Sequence, residues 1–226
     1  MREIYVETAI NWGGSQLQGF GRGLSRSSDP DVRMDAVRVA SHLSGEDGRD
    51  LLEELLRDSN SSVSRQAAVH LVPMGVSAAF SRLMELTEAG NDEDRIAALG
   101  MIRDGQPTVL SFERLQGMIT NETSPELLRA IHESMGATGS EAAFQMLSSM
   151  ANDTVYENRI NGIAGLGYTG RDAASEILGG ILLGGGGVPL RKAAAEALGH
   201  LRLESAAAPL IRALDRERGG EVEVAV

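Results

Sequence analysis

The sequence predicts an all-α protein, a right-handed α-solenoid of about six stacked two-helix repeats. Three observations lead there. Six arginines, Arg33, Arg65, Arg95, Arg129, Arg159 and Arg191, recur at intervals of 32, 30, 34, 30 and 32 residues. Small residues follow them in register, since Ala36, Ala68, Ala98 and Ala194 each stand three places after their arginine. Apolar residues otherwise fall at helical spacing, and strict alternation is confined to the short stretch 221–226. A two-helix unit of roughly 32 residues cannot bury its apolar face alone, so such units must stack.

In chain order, residues 1–27 read as an N-terminal cap made from a degenerate repeat. Leu17, Phe20 and Leu24 suit a second helix over 15–27, with 2–11 as its degraded partner. The array proper occupies 28–216. Asp29, Pro30 and Asp31 open its first unit, because an acidic cap and a first-turn proline suit the unpaired amides at a helix start. Val32, Ala36, Val39, Ala40 and Leu43 then form one apolar stripe. After a turn over 44–48, Leu51, Leu52, Leu55 and Leu56 form a second stripe, with Asp50, Glu53, Glu54 and Arg57 on the opposite face. The middle units are less regular, with His132 and Gly162 in the alanine position. The last unit opens at Val188 and Pro189 and packs Leu190, Ala193, Ala194, Ala197 and Leu198. Its second helix lies over 204–214, through Ala207, Leu210, Ile211 and Leu214. Four consecutive glycines, 184–187, read as a flexible joint between the fifth and sixth units, and 217–226 as a flexible tail.

Composition narrows the chemistry. The 226 residues carry a net charge of −11 and only 4% aromatics, so neither a polyanion-binding surface nor a set of base-stacking platforms is expected. Cysteine is absent, which removes disulfides, thiolate metal sites and cysteine nucleophiles. No apolar run approaches the roughly 18 residues of a membrane span. The expectations are therefore a cytoplasmic protein with no membrane insertion, no nucleic-acid partner and no cofactor.

The run from Asp29 through Ala40 and the run from Leu190 through Leu201 resemble HEAT repeats, in the short flavour named after phycobilisome lyase subunits. The resemblance covers roughly 28–216, strong at both ends and weak between 105 and 185. It implies a protein-binding scaffold whose second helices line the concave side. The polar positions there are Glu53, Glu54 and Arg57, then Arg82 and Glu85, then Glu113, Arg114 and Gln116, then Glu141 and Gln145. This is a mixed-charge strip with an acidic first end, reinforced by Asp47 and Asp50, and it suits a partner protein with a basic surface. The alternative that the resemblance raises is a phycobilin lyase-like enzyme or its subunit.

Other motifs carry less. The arginine ladder, fixed in the repeat, reads as structural, each guanidinium bonding loop carbonyls or an acidic residue of its own or the neighbouring unit. The histidines 42, 70, 132 and 200 form no zinc-ligand spacing. A HEAT-like iron hydroxylase would need several His-Glu pairs, and only His132 with Glu133 matches. A HEAT-like DNA glycosylase would need a basic, aromatic-rich face, against which stand the net charge and the single tryptophan, Trp12, outside the repeats. Gly165 to Gly170 fits GxGxxG, but no strand precedes it, so it reads as an interhelical turn. No nucleophile, acid or base set stands out, and no catalytic residue is expected.

Overall fold

The structure is a computed structural model that describes residues 1–14, 16–184 and 187–223, with side chains through Arg216. Among the described residues there are fourteen α-helices and no strand. They divide into two compact units, 1–101 and 102–226.

The first unit contains α1 (Arg2–Trp12), α2 (Gln16–Ser25), α3 (Pro30–His42), α4 (Glu46–Leu55), α5 (Ser61–Leu71), α6 (Ser77–Ala89) and most of α7 (Asp92–Gly105). The cap is a helix pair in its own right. Val6 of α1 is buried with Leu17 and Val39, and Ala9, Ile10, Leu24 and Leu43 close around them. Arg2 reinforces that docking by reaching the buried carboxylate of Asp35 at 2.8 Å. The outer face of α1 is left apolar, with Met1, Ile4, Tyr5 and Trp12 exposed. Caps stand where the sequence places them. Asp29 accepts from the amide of Asp31, with Pro30 in the first turn, and Asn60 accepts from the amides of Ser62 and Val63. Each such cap satisfies amides that the helix itself leaves unpaired.

The second unit contains the end of α7, a 3₁₀ turn (Pro107–Val109), α8 (Phe112–Ile119), α9 (Pro125–Ala137), α10 (Glu141–Ala151), α11 (Tyr156–Leu166), α12 (Asp172–Leu183), α13 (Val188–Leu201), a second 3₁₀ turn (Glu204–Ala206) and α14 (Ala207–Glu223). Ser111, Ser124 and Ser140 cap α8, α9 and α10. Glycine sets the spacing in this unit. A Cβ at Gly136 would run into the carbonyl of Gly165, and one at Gly162 would meet the backbone of Leu147 and Ala151. The helix backbones of α9, α10 and α11 thus approach more closely than alanine allows. That is why these units look irregular in sequence: His132, in the alanine position, is 2% exposed, and Gly162 is a contact point.

The odd-numbered helices α3 to α13 each carry one arginine of the ladder near their N-terminus, and α4 to α14 are their second helices. The backbone of α14 stays helical through Glu223, into the stretch read from sequence as a tail, and Arg216 donates to the Leu183 carbonyl at the end of α12 (2.7 Å). Of the four-glycine joint, Gly185 and Gly186 lie outside the described residues, as do 224–226.

Candidate functional site

The second-helix layer of the first unit holds an open cleft of about 430 Å³ between α4 and α6. Its lining comes from the turn that follows α4, Leu56, Arg57 and Asp58, and from Ala78, Ser81, Arg82 and Glu85 on α6. Three residues of the expected strip, Arg57, Arg82 and Glu85, are therefore brought together. Arg82 is fixed by its surroundings: Nε donates to the buried Ser64 hydroxyl (2.7 Å) and Nη1 to Glu85 (3.0 Å). Asp58 is engaged through both oxygens, accepting two bonds from Arg33 (2.6 and 2.8 Å) and one from the Asn60 amide (2.8 Å). The Arg33 guanidinium holds the Asp58 carboxyl below the usual aspartate range.

The other strip residues are placed differently. Glu53 turns back along α4 to Arg49 (2.8 Å), and Glu54 accepts from the Ser25 hydroxyl (3.3 Å). On α10, Glu141 accepts from Gln145 (3.2 Å) and pairs with Arg171, which lowers its pKa chiefly through that bond. Glu113, Arg114 and Gln116 are exposed on α8 and line none of the clefts described here. Arg171, which the sequence reading passed over, also donates to the Gly139 carbonyl (2.9 Å) and lies over the Phe144 ring.

The arginine ladder is uneven. Arg33 also bonds the carbonyls of Ser27 and Ser28 (2.9 and 3.2 Å). Arg65 lies against Asp94 (3.4 Å) and Glu93 (3.7 Å), and Arg95 donates to the Thr87 carbonyl (3.1 Å). Arg129 is 46% exposed and pairs along its own helix with Glu133 (3.0 Å) and more loosely with Glu196 (3.7 Å). Arg159 has a buried Nε without a hydrogen-bond partner among the described residues, and Arg191 is half-buried.

A second cleft, about 240 Å³, lies on the first-helix layer of the second unit, between α9, α11 and α13. Ile160, Ala164, Ala193 and Ala197 supply apolar surface, and Arg129, Glu133, Lys192, Glu196 and His200 the polar groups. Beside it, His200 stacks on Tyr168 (4.8 Å between centroids), and the guanidinium of Arg103 covers the Tyr168 ring at 4.3 Å while pairing with Glu133. This column was legible in part. Tyr168 and His200 both stand nine residues after their ladder arginine, as does His42, which closes α3 with Nδ1 2.8 Å from the Arg38 carbonyl.

Among the described residues no group of three His, Cys, Asp or Glu side chains is placed to hold a metal ion. His132 is buried, with Nδ1 2.6 Å from the Leu128 carbonyl, and burial pushes its pKa down; burial lowers His70 as well, aided by His42. The unfolded chain therefore takes up protons first as pH falls. Stability is full above the ordinary histidine range and is lost as pH drops through it. Thermal melts between about pH 7.5 and about pH 5.5 should show a falling midpoint, and His132→Gln should flatten that slope. An unchanged slope in the variant would assign the effect elsewhere.

Two family models match this chain. Residues 17–103 match the model described as HEAT repeats, and residues 190–216 match the PBS lyase HEAT-like repeat. No curated protein sequence matches. Among solved structures, the chain is similar to one in the complex of CpcE and CpcF of phycocyanin lyase from Nostoc sp. PCC7120. That match has 20% identity and a TM-score of 0.57, over 87% of this chain and 81% of that one. An engineered protein aligns at 15% identity and a TM-score of 0.43, over 84% of this chain and 97% of its own. Among the described residues no helix is long and apolar enough to cross a membrane.

Proposed function

We infer that this chain, a HEAT-repeat protein with phycobilisome-lyase-type repeats, is a non-enzymatic scaffold that receives a partner protein on its second-helix layer. The observation that carries this reading is the α4–α6 cleft. Arg82 and Glu85 stand there on α6, whose opposite face buries Ala79, Leu83 and Leu86, and Arg57 and Asp58 stand in the turn after α4, so the charged groups are held by packed elements. The proposed working residues are Glu53, Glu54, Arg57, Arg82 and Glu85 in the first unit, and Glu113, Arg114, Gln116, Glu141 and Gln145 in the second. The acidic end, with Asp47 and Asp50 exposed beside Glu54, favours a partner with basic side chains nearby. Exposed charge pairs are each worth about 0–1 kcal/mol, so they speed encounter while apolar contacts hold the complex.

The experiment is affinity capture from the native host with mass spectrometry, followed by surface kinetics on the captured partner. The double change Glu53→Arg and Glu54→Arg should slow association about tenfold at low salt and leave helical content intact. An association rate indifferent to both salt and charge reversal removes the acidic end from the mechanism. A lyase-subunit role is the second reading, and the likeness to a phycocyanin lyase chain favours it. Its mark would be a shifted visible spectrum when the purified chain meets an open-chain tetrapyrrole.

A further inference from the structure

We propose that the α4–α6 cleft accepts an aspartate or glutamate side chain of the partner, so that the partner's docking segment carries an acidic residue here despite the net negative charge of this chain. The inference rests on the reading of the second-helix layer as the binding surface, and it specifies the chemistry of one place on it.

The charges that reach the cleft decide the sign. The chain carries −11, which by itself favours a basic partner. Within the cleft the balance is different. Asp58 is one of two lining carboxylates; its side chain is only 6% exposed, and both oxygens are bonded by the Arg33 fork, with the Asn60 amide on one of them. Its charge is cancelled from behind, leaving little for a visitor. Glu85 is the other, and it answers Arg82. Arg57 is exposed and, among the described residues, has no carboxylate within ion-pair distance, its bond being a long one to the Glu53 carbonyl (3.4 Å). Two guanidinium groups thus face one available carboxylate.

Geometry agrees with charge. Arg82 is held through Nε by Ser64, so its remaining donors are oriented before binding. An oriented guanidinium loses less freedom on taking a carboxylate, and its planar fork matches that group. Ala78 provides exposed apolar surface beside the two arginines, with the largely buried Leu56 also in the wall, which suits an acidic residue next to a small aliphatic one. A lysine or arginine entering the same place would meet two like charges.

The test uses the full chain labelled with ¹⁵N and two probes: a capped, alanine-based helical peptide carrying Glu and Leu one turn apart, and its counterpart with Lys in place of Glu. The Nε–Hε signals of Arg57 and Arg82 are followed on titration. The Glu peptide should shift both signals and bind about tenfold more tightly than the Lys peptide, as expected for one charge-assisted contact. Arg57→Glu should remove that preference. Arg82→Gln, which keeps a neutral donor near Ser64, should weaken it with the melting temperature held. Equal binding of both peptides, preference for Lys, or a Glu peptide that binds Arg57→Glu unchanged would overturn the proposal. Ala78→Arg, which fills the cleft, separates this from the broader reading. If it abolishes partner capture while the Glu peptide shows no preference, the second-helix surface stands and the acidic occupant falls. If capture survives both Ala78→Arg and the Glu53→Arg, Glu54→Arg double change, the surface reading itself falls.

Discussion

Gly136→Ala should destabilise the second unit by about 3 kcal/mol or more, at the upper end of what overpacking a closed core costs. The added Cβ would press on the carbonyl oxygen of Gly165, with the Cβ of Tyr168 also in contact. The obstacle is backbone against backbone, so no rotamer change relieves it, and α9 and α11 must move apart. That movement would reach Leu147, whose δ-carbons fill the space at Gly165, and the carbonyl of His132 on the other side. Gly199→Ala is the matched control. It lies within α13 with nothing inside 4 Å of the new methyl, and there the helix should gain about 0.5–1 kcal/mol. Urea denaturation followed by far-ultraviolet circular dichroism measures both. Equal stabilities for the two variants would mean that the close approach of α9 and α11 is not a feature of the folded protein.

Asp94→Ala should cost the first unit about 3 kcal/mol, the lower end of what breaking a buried ion pair costs. Asp94 is 1% exposed at the start of α7. Its carboxylate accepts from the Ser61 hydroxyl on α5 and faces the Arg65 guanidinium, so one side chain joins two successive first helices. Removing it leaves the Arg65 side chain, 17% exposed, without its nearer carboxylate. The double change Arg65→Met with Asp94→Leu should recover much of the loss, because the stranded charge disappears along with the pair. A double variant less stable than Asp94→Ala would show that the pair contributes more than relief of burial.

The fold was written plainly in some residues and hidden in others. Asp29 with Pro30, and the leucines 51, 52, 55 and 56, state a helix start and a buried stripe in local terms, because capping and periodicity act over one or two turns. The arginine spacing fixed the repeat even where His132 and Gly162 disguised it. The disguise has a cause that single positions cannot reveal: Gly136, Gly162 and Gly165 matter through each other, across three helices. The same holds for the surface. Which strip residues share a cleft depends on where α4 meets α6, and Asp58, which joins them there, is held by Arg33 from a different helix. Arg103, Tyr168 and His200 form their column from three repeats, and the common position of the last two, nine residues after an arginine, was the one hint in the sequence. The helical course of α14 to Glu223 was obscured by Gly219 and Gly220, which weaken a helix without forbidding it.

Trp12 stands 86% exposed on the outer face of α1. It is the chain's single tryptophan, and its indole is already in water when the protein is native. Tryptophan emission is therefore nearly blind to the melting of either core, and an unfolding curve recorded that way would change little. The same isolation makes it a built-in optical probe: a blue shift, or protection from a soluble quencher, would record a macromolecule settling on α1, with no label attached.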